Sequence, residues 1–362
     1  MSIEAKHRNV PHFAEESLTQ NVGQMVMVGF RGAASNELEP ILRQIRELNL
    51  GGVILFDRDV PNGYSGRNIR SFEQVAELTR TLQEAAVDPL LIAVDQEGGQ
   101  VVRLRPEHGF PVMPSARRLG ETGSAETVLQ TSRKVAAALR QAGINLNFAP
   151  CVDLDRNPDN PIIGMRERSF GSDPFLVARL AEAFIRGHRE NGVLCCLKHF
   201  PGHGSSQHDS HLGMADVTNL WSQDELIPYR ELIRHQAVDM VMTAHIFHRH
   251  WDEERPATLS PFVIDNLLRR NLQFDGVVVT DDLQMAAVSN HFGLRETVAS
   301  AVRAGADLLL FANNSVFDPD IAFKVHDILV ELLQTDNLGA ERVARSLARI
   351  AKLKSRLPLQ KS

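Results

Sequence analysis

Eight short apolar runs, each separated from the next by a stretch with helical spacing, limit what this chain can fold into more than anything else in it. The runs fall at residues 25–30, 52–55, 90–94, 144–148, 194–198, 239–243, 277–280 and 307–311, and they are rich in β-branched side chains. Between them, residues 37–48, 72–86, 125–142, 175–190, 223–235, 263–271 and 294–304 repeat their apolar positions at the period of an amphipathic helix. Strands apolar throughout, with no polar alternation, are covered on both faces, which is the condition of a parallel sheet flanked by helices. Eight such units predict closure into a (β/α)8 barrel of the TIM type, an α/β fold, with a doubly wound open sheet as the rival. Glycines 143, 192 and 305 stand where three of the helices should end in a left-handed residue. Two further amphipathic stretches, 321–333 and 341–353, would close the outside, and residues 1–362 read as a single domain.

Charge and cysteine usage narrow the partners. A net charge of -6 and a pI near 6.2 disfavour nucleic acid, whose phosphates need a basic face. Cys151 and the adjacent pair Cys195 and Cys196 have no CxxC spacing, so neither a disulfide framework nor a structural zinc site is expected. No apolar run is long enough to cross a bilayer, and the first residues lack the apolar core of a signal peptide. The expectation is a cytoplasmic monomer with a small-molecule substrate and no membrane partner.

Barrel enzymes build their sites at the carboxyl ends of the strands, and here those ends are polar: Asp95, Asn147 with Asp153, Lys198 with His199, His245, Asp281 with Asp282, Asn313 with Asn314. Asp95 opens a loop with paired glycines that reaches Arg103. A turn-rich loop from Asn157 brings Arg166 and Arg168. The densest stretch is Lys198-His199-Phe200-Pro201-Gly202-His203-Gly204, followed by Asp209-Ser210-His211. In an extended loop, residues two apart project to one side, so Asp209 can fix the tautomer of His211 and leave its other nitrogen for proton transfer. Of the acidic pair after residue 280, one carboxylate should face the barrel mouth, as nucleophile, base or metal ligand. His203 and His208 read as loop support. A metallohydrolase gathering zinc with His199, His203, His211, His245 and Asp281 is one rival; a non-catalytic sugar-binding barrel is another.

Taken in order, these segments resemble the barrels of glycoside hydrolase family 3, in particular the bacterial β-N-acetylglucosaminidase branch. The likeness is sharpest over residues 198–204 and 209–211. It implies retaining exo-hydrolysis of a terminal β-linked N-acetylglucosamine without a cofactor, with Asp281 as nucleophile and His211, oriented by Asp209, as acid and then base. Asp95, Arg103, Arg168, Lys198 and His199 would hold the sugar. The natural substrate would be a cell-wall fragment of the anhydro-muropeptide kind, and phosphate in place of water as acceptor would make the same site a phosphorylase. The chain departs from the family pattern between Gly164 and Arg168, where two residues are inserted, so that Arg166 competes with Arg168 for the sugar contact.

Overall fold

The computed structural model describes residues 15–210, 213–335 and 337–358. Its eight principal strands are β1 (Val26–Gly29), β2 (Gly52–Ile54), β3 (Leu91–Val94), β4 (Leu146–Asn147), β5 (Leu194–Phe200), β6 (Met240–Thr243), β7 (Val277–Thr280) and β8 (Leu309–Phe311). All pair in parallel, in the order β7-β6-β5-β4-β3-β2-β1-β8. A parallel bridge from Val279 to Leu308, with Thr280 N donating to Leu308 O at 3.0 Å, joins the two ends. The sheet is therefore closed, and the open-sheet alternative falls. Every residue of these strands is buried.

Around the barrel run α1 (Glu39–Leu48), α2 (Phe72–Glu84), α3 (Ala125–Gln141), α4 (Pro174–Arg189), α5 (Ile227–Arg234), α6 (Phe262–Asn271), α7 (Leu294–Ala304), α8 (Ile321–Thr335) and α9 (Asn337–Lys354). Their starts follow local chemistry. The side chains of Ser71, Ser124 and Asp173 accept from the backbone N–H groups of Gln74, Thr127 and Phe175, satisfying donors that the first turns of α2, α3 and α4 leave open. Gly305 ends α7 at φ 104°, the left-handed cap its position predicts.

Two expected helices differ. Residues 223–235 divide into a 3-10 turn (Gln223–Leu226) and α5, because Pro228, which has no N–H, is accommodated only in a first turn. Residues 263–271 form α6, wound as a π-helix; over ten residues, apolar spacing does not distinguish that ladder from an α-helical one. A short hairpin of Arg58–Asp59 with Tyr64–Ser65, and a parallel pair of Ala215–Asp216 with Ile246–Phe247, sit in the loops and are too short to leave a periodic signal.

The closing seam is tied by one carboxylate. Asp307, fully buried, accepts from Val278 N at 2.8 Å, Ser346 Oγ at 2.8 Å, Arg269 at 2.6 Å and Arg349 at 3.1 Å. It thus joins β7, the entry to β8, α6 and α9. Removing one member of a buried ion pair strands the others. Asp307→Ala is accordingly expected to cost about 3–5 kcal/mol in urea denaturation; a loss below 1 kcal/mol would show that the seam does not depend on it.

Candidate active site

At the carboxyl ends of the strands lies a cleft of about 190 Å³. Its floor is the apolar barrel interior, including Ile54, Phe56, Phe148, Met242 and Leu310, and its walls are charged. Asp95, Arg103, Arg168, Lys198, His199 and Asp281 all line it, although they come from four different strand–loop segments.

These side chains form a buried chain of alternating charge. Lys198 Nζ lies 2.7 Å from Asp95 Oδ1 and 2.7 Å from Glu97 Oε1. Glu97 accepts both prongs of the Arg168 guanidinium, at 2.8 and 2.7 Å. Arg168 also donates to His199 Nε2 at 3.1 Å, which makes Nε2 the acceptor and leaves Nδ1 to carry the proton toward Asp153 Oδ2, 2.6 Å away. Asp153 further accepts the backbone N–H groups of His199 and His203. At the rim, Arg103 reaches Asp95 at 3.4 Å.

Protonation follows from this pairing. Burial opposes ionisation of Asp95, Glu97 and Asp153, but their partners outweigh it and hold all three carboxyls below their ordinary range: the charges of Lys198 and Arg103 for Asp95, those of Arg168 and Lys198 for Glu97, and the interaction with the His199 imidazole for Asp153. Burial likewise opposes the charge on Lys198 and Arg168, and the facing carboxylates raise both above their usual values. Asp95, Glu97, Asp153, Lys198 and Arg168 are therefore charged, and the network offers a ligand fixed hydrogen-bonding groups.

Asp281 and Asp282 follow β7 and divide their work. Asp282 is buried, and its Oδ1 accepts from Gln284 N at 3.1 Å and Ala312 N at 3.0 Å, tying the turn after β7 to β8. Asp281 Oδ1 accepts a bond from Asp282 N at 2.8 Å, and Asp281 lines the cleft. Arg168 is buried, while Arg166 lies at the exposed rim with Nε donating to Pro161 O. Between the two arginines, Glu167 turns the chain with a left-handed φ of 56°, and its carboxylate accepts from Ser115 Oγ at 2.7 Å.

His211 lies outside the described residues. Ser210, its neighbour, lines the cleft and meets His203 Nε2 at 3.2 Å, so the loop reaches the site; Asp209 beside it is half-buried. The zinc constellation does not gather among the described residues. His245 is fully buried and bonded to Thr258 Oγ1 and Asp282 O, and the residues whose ligand atoms come close enough to share an ion are Cys151, Asp153 and His199. Asn147, also at a strand tip, turns sideways to Gln96 and His188 and serves the sheet.

Sequence reasoning missed Glu97, Asp153 as the partner of His199, and Glu225. Glu225, on the 3-10 turn before α5, accepts from Gly204 N at 3.0 Å and Ser205 Oγ at 2.6 Å. It anchors the start of the loop that carries Asp209. Burial, aided by the charge of Asp153 and opposed by the Ser205 bond, raises its carboxyl to about 7. With a raised pKa in the folded state, its contribution to stability is complete below the unfolded value near 4.5 and is lost as pH rises through 7. Relative to wild type, Glu225→Gln should therefore gain roughly 2–3 kcal/mol between pH 4.5 and pH 8 in denaturant titrations. A difference between the two proteins that is the same at both pH values would contradict the assignment.

Residues 17–353 match the family model described as the glycosyl hydrolase family 3 N terminal domain. Among characterised relatives, the chain is 35% identical to beta-hexosaminidase A of Pseudoalteromonas piscicida, over 94% of this chain and 61% of that protein. It is 40% identical to a beta-hexosaminidase of Tolumonas auensis, over 77% of this chain and 80% of that one. A solved family 3 β-N-acetylglucosaminidase from a Paenibacillus species superposes with a TM-score of 0.84 at 39% identity, covering 95% of this chain and 64% of that structure. The chain thus spans under two thirds of the length of the first and third of these proteins. With the barrel, the charged cleft at its carboxyl end and these matches together, the chain belongs to glycosyl hydrolase family 3.

Proposed function

We propose that this chain is a retaining exo-β-N-acetylglucosaminidase that releases a terminal, β-linked N-acetylglucosamine from cell-wall fragments of the anhydro-muropeptide kind. The observation that carries the reading is the charge balance of the cleft: four carboxylates, Asp95, Glu97, Asp281 and Asp282, stand against four cations, Arg103, Arg166, Arg168 and Lys198. A site of zero formal charge, densely supplied with donors and acceptors over an apolar floor, suits a neutral polyhydroxylated ring better than an anion. Its volume is on the scale of one sugar. The names of the relatives, beta-hexosaminidase and β-N-acetylglucosaminidase, support the choice of sugar.

In this reading Asp95, Lys198, Arg103, Arg168 and His199 grip the hydroxyls and the acyl group. Asp281 attacks the anomeric carbon and forms a glycosyl ester as the glycosidic oxygen leaves. His211 protonates that oxygen, then removes a proton from the water that hydrolyses the ester, and Asp209 holds its imidazole in the required tautomer. Using histidine in place of a second carboxylate avoids like-charge repulsion beside Asp281, which would raise the pKa of the nucleophile and weaken it.

The tests separate the roles. The enzyme should cleave an aryl N-acetyl-β-glucosaminide far faster than the matching β-glucoside, and the first-formed sugar should be the β anomer by NMR; an α product would refute the retaining scheme. Asp281→Ala should abolish turnover on every substrate. His211→Ala should slow substrates with poor leaving groups by about a hundred- to ten-thousand-fold and activated aryl glycosides far less, and equal losses on both would remove His211 from the proton-donor role.

A further inference from the structure

At the opposite end of the barrel lies a larger cavity, of about 500 Å³. Its lining comes from the segments that lead into the strands: Asn21 and Gln24 before β1, Asp88 and Pro89 before β3, Gly143 and Asn145 before β4. Helix α9 covers it. Leu347, Ile350, Ala351 and Lys354 line the cavity at spacings of three, four and seven residues, a single helical face that is apolar except where it ends in a lysine.

That lysine is unlike the rest of its face. Lys354 is 6% exposed, and among the described residues its ammonium has one acceptor, the neutral Gln24 Oε1, at 2.5 Å. The orientation of the Gln24 amide is fixed, since its Nε2 donates to Asn49 O at 2.8 Å and Asn49 Oδ1 at 2.9 Å. Asp88, the carboxylate that acts on Lys354 electrostatically, accepts from Asn49 Nδ2 at 2.9 Å. A buried ammonium with three donors and a single neutral acceptor is costly unless something further compensates it. The helix dipole does not explain the burial, because Lys352 places a cation in the same last turn and remains exposed. Burial pulls the Lys354 ammonium down to about 7, with Asp88 acting weakly against it.

We infer that this cavity binds a small amphipathic carboxylate, its head on Lys354 and its apolar body along Leu347, Ile350 and the facing Leu18 and Leu357. The carboxylate supplies the acceptors that Gln24 alone cannot, and the apolar face of α9 takes the chain. Arg140, also on the wall, adds to the positive potential there. The site is separate from the catalytic cleft, since its lining precedes the strands and the cleft's lining follows them.

Octanoate is a suitable probe, with octan-1-ol as its uncharged counterpart, titrated by calorimetry into the full chain at pH 6.5. Expected are saturable one-to-one binding of octanoate, binding at least tenfold weaker for octan-1-ol, and a loss of at least tenfold for octanoate in Lys354→Met. Ala351→Trp, which fills the cavity from the exposed side of α9 and leaves Lys354 in place, should also lose octanoate. Circular dichroism spectra, unchanged in both variants, show that each is folded. Absence of saturable octanoate binding, equal affinity in folded Lys354→Met, or octan-1-ol binding as tightly as octanoate would each overturn the inference. Because none of these readings depends on what the catalytic cleft hydrolyses, failure here and failure of the proposed activity are distinguishable.

Discussion

Glu97 holds together charges that could not otherwise be buried. Its two oxygens take the paired N–H groups of Arg168 and, on one of them, the ammonium of Lys198, and all three side chains are more than nine-tenths buried. None of the three would be tolerated there alone, since an isolated ion in a barrel interior costs several kcal/mol. The pairing fixes more than the three residues. Through Lys198 it sets Asp95, through Arg168 it sets the acceptor nitrogen of His199, and through His199 it reaches Asp153, which holds the first backbone groups of the loop beyond β5. A shift in any link would leave a neighbouring charge without its partner, so the geometry offered to a ligand is set before the ligand arrives. Such preorganised groups stabilise developing charge without having to reorient during reaction.

The same dependence explains what could be read in the chain and what could not. Strand positions were legible because burial on both faces imposes a local and continuous apolar run, as in Val277 to Thr280. The mouth of the barrel was legible because strand ends are where such runs turn polar, which brought out Asp95, Lys198 and Asp281. Glu97 was passed over because its partners, Arg168 and Lys198, lie far from it in sequence, and nothing local separates a carboxylate that bridges two buried cations from one that faces water. Asn147 and His245 show the converse. Both stand at strand ends, yet they spend their hydrogen bonds on Gln96, His188, Thr258 and Asp282, holding neighbouring segments in place. Position along the strand identifies the layer in which a side chain lies; its partners decide whether it remains available to a ligand.

Glu225 and Asp153 divide control of the loop after β5. Asp153 is fully buried, charged, and bonded at the loop's first turn; Glu225 meets the next two residues, Gly204 and Ser205. Burial, helped by the nearby charge of Asp153, raises the Glu225 carboxyl to about 7. One anchor is therefore insensitive to pH over the neutral range and the other is not. Past Ser206, Gln207 and His208 are exposed, and Ser210 lines the cleft. Among the described residues the loop is held at its root by these two carboxylates and, farther out, by the contact of Ser210 with His203.

The two ends of the barrel treat buried lysines oppositely, and the contrast bears on what each end is for. Lys198 at the carboxyl end has two carboxylates at 2.7 Å and a pKa raised above the ordinary value. Lys354 at the amino end has one amide oxygen and a pKa lowered to about 7. Burial acts against the charge in both cases, so the difference lies entirely in the partners. Where the protein itself supplies the counter-charge, a neutral ligand meets no uncompensated charge, and specificity can rest on hydrogen-bond geometry. Where the facing carboxylate, Asp88, acts weakly and space remains beside the ammonium, an anion is the better complement. The catalytic cleft belongs to the first kind, and the cavity under α9 has the features of the second.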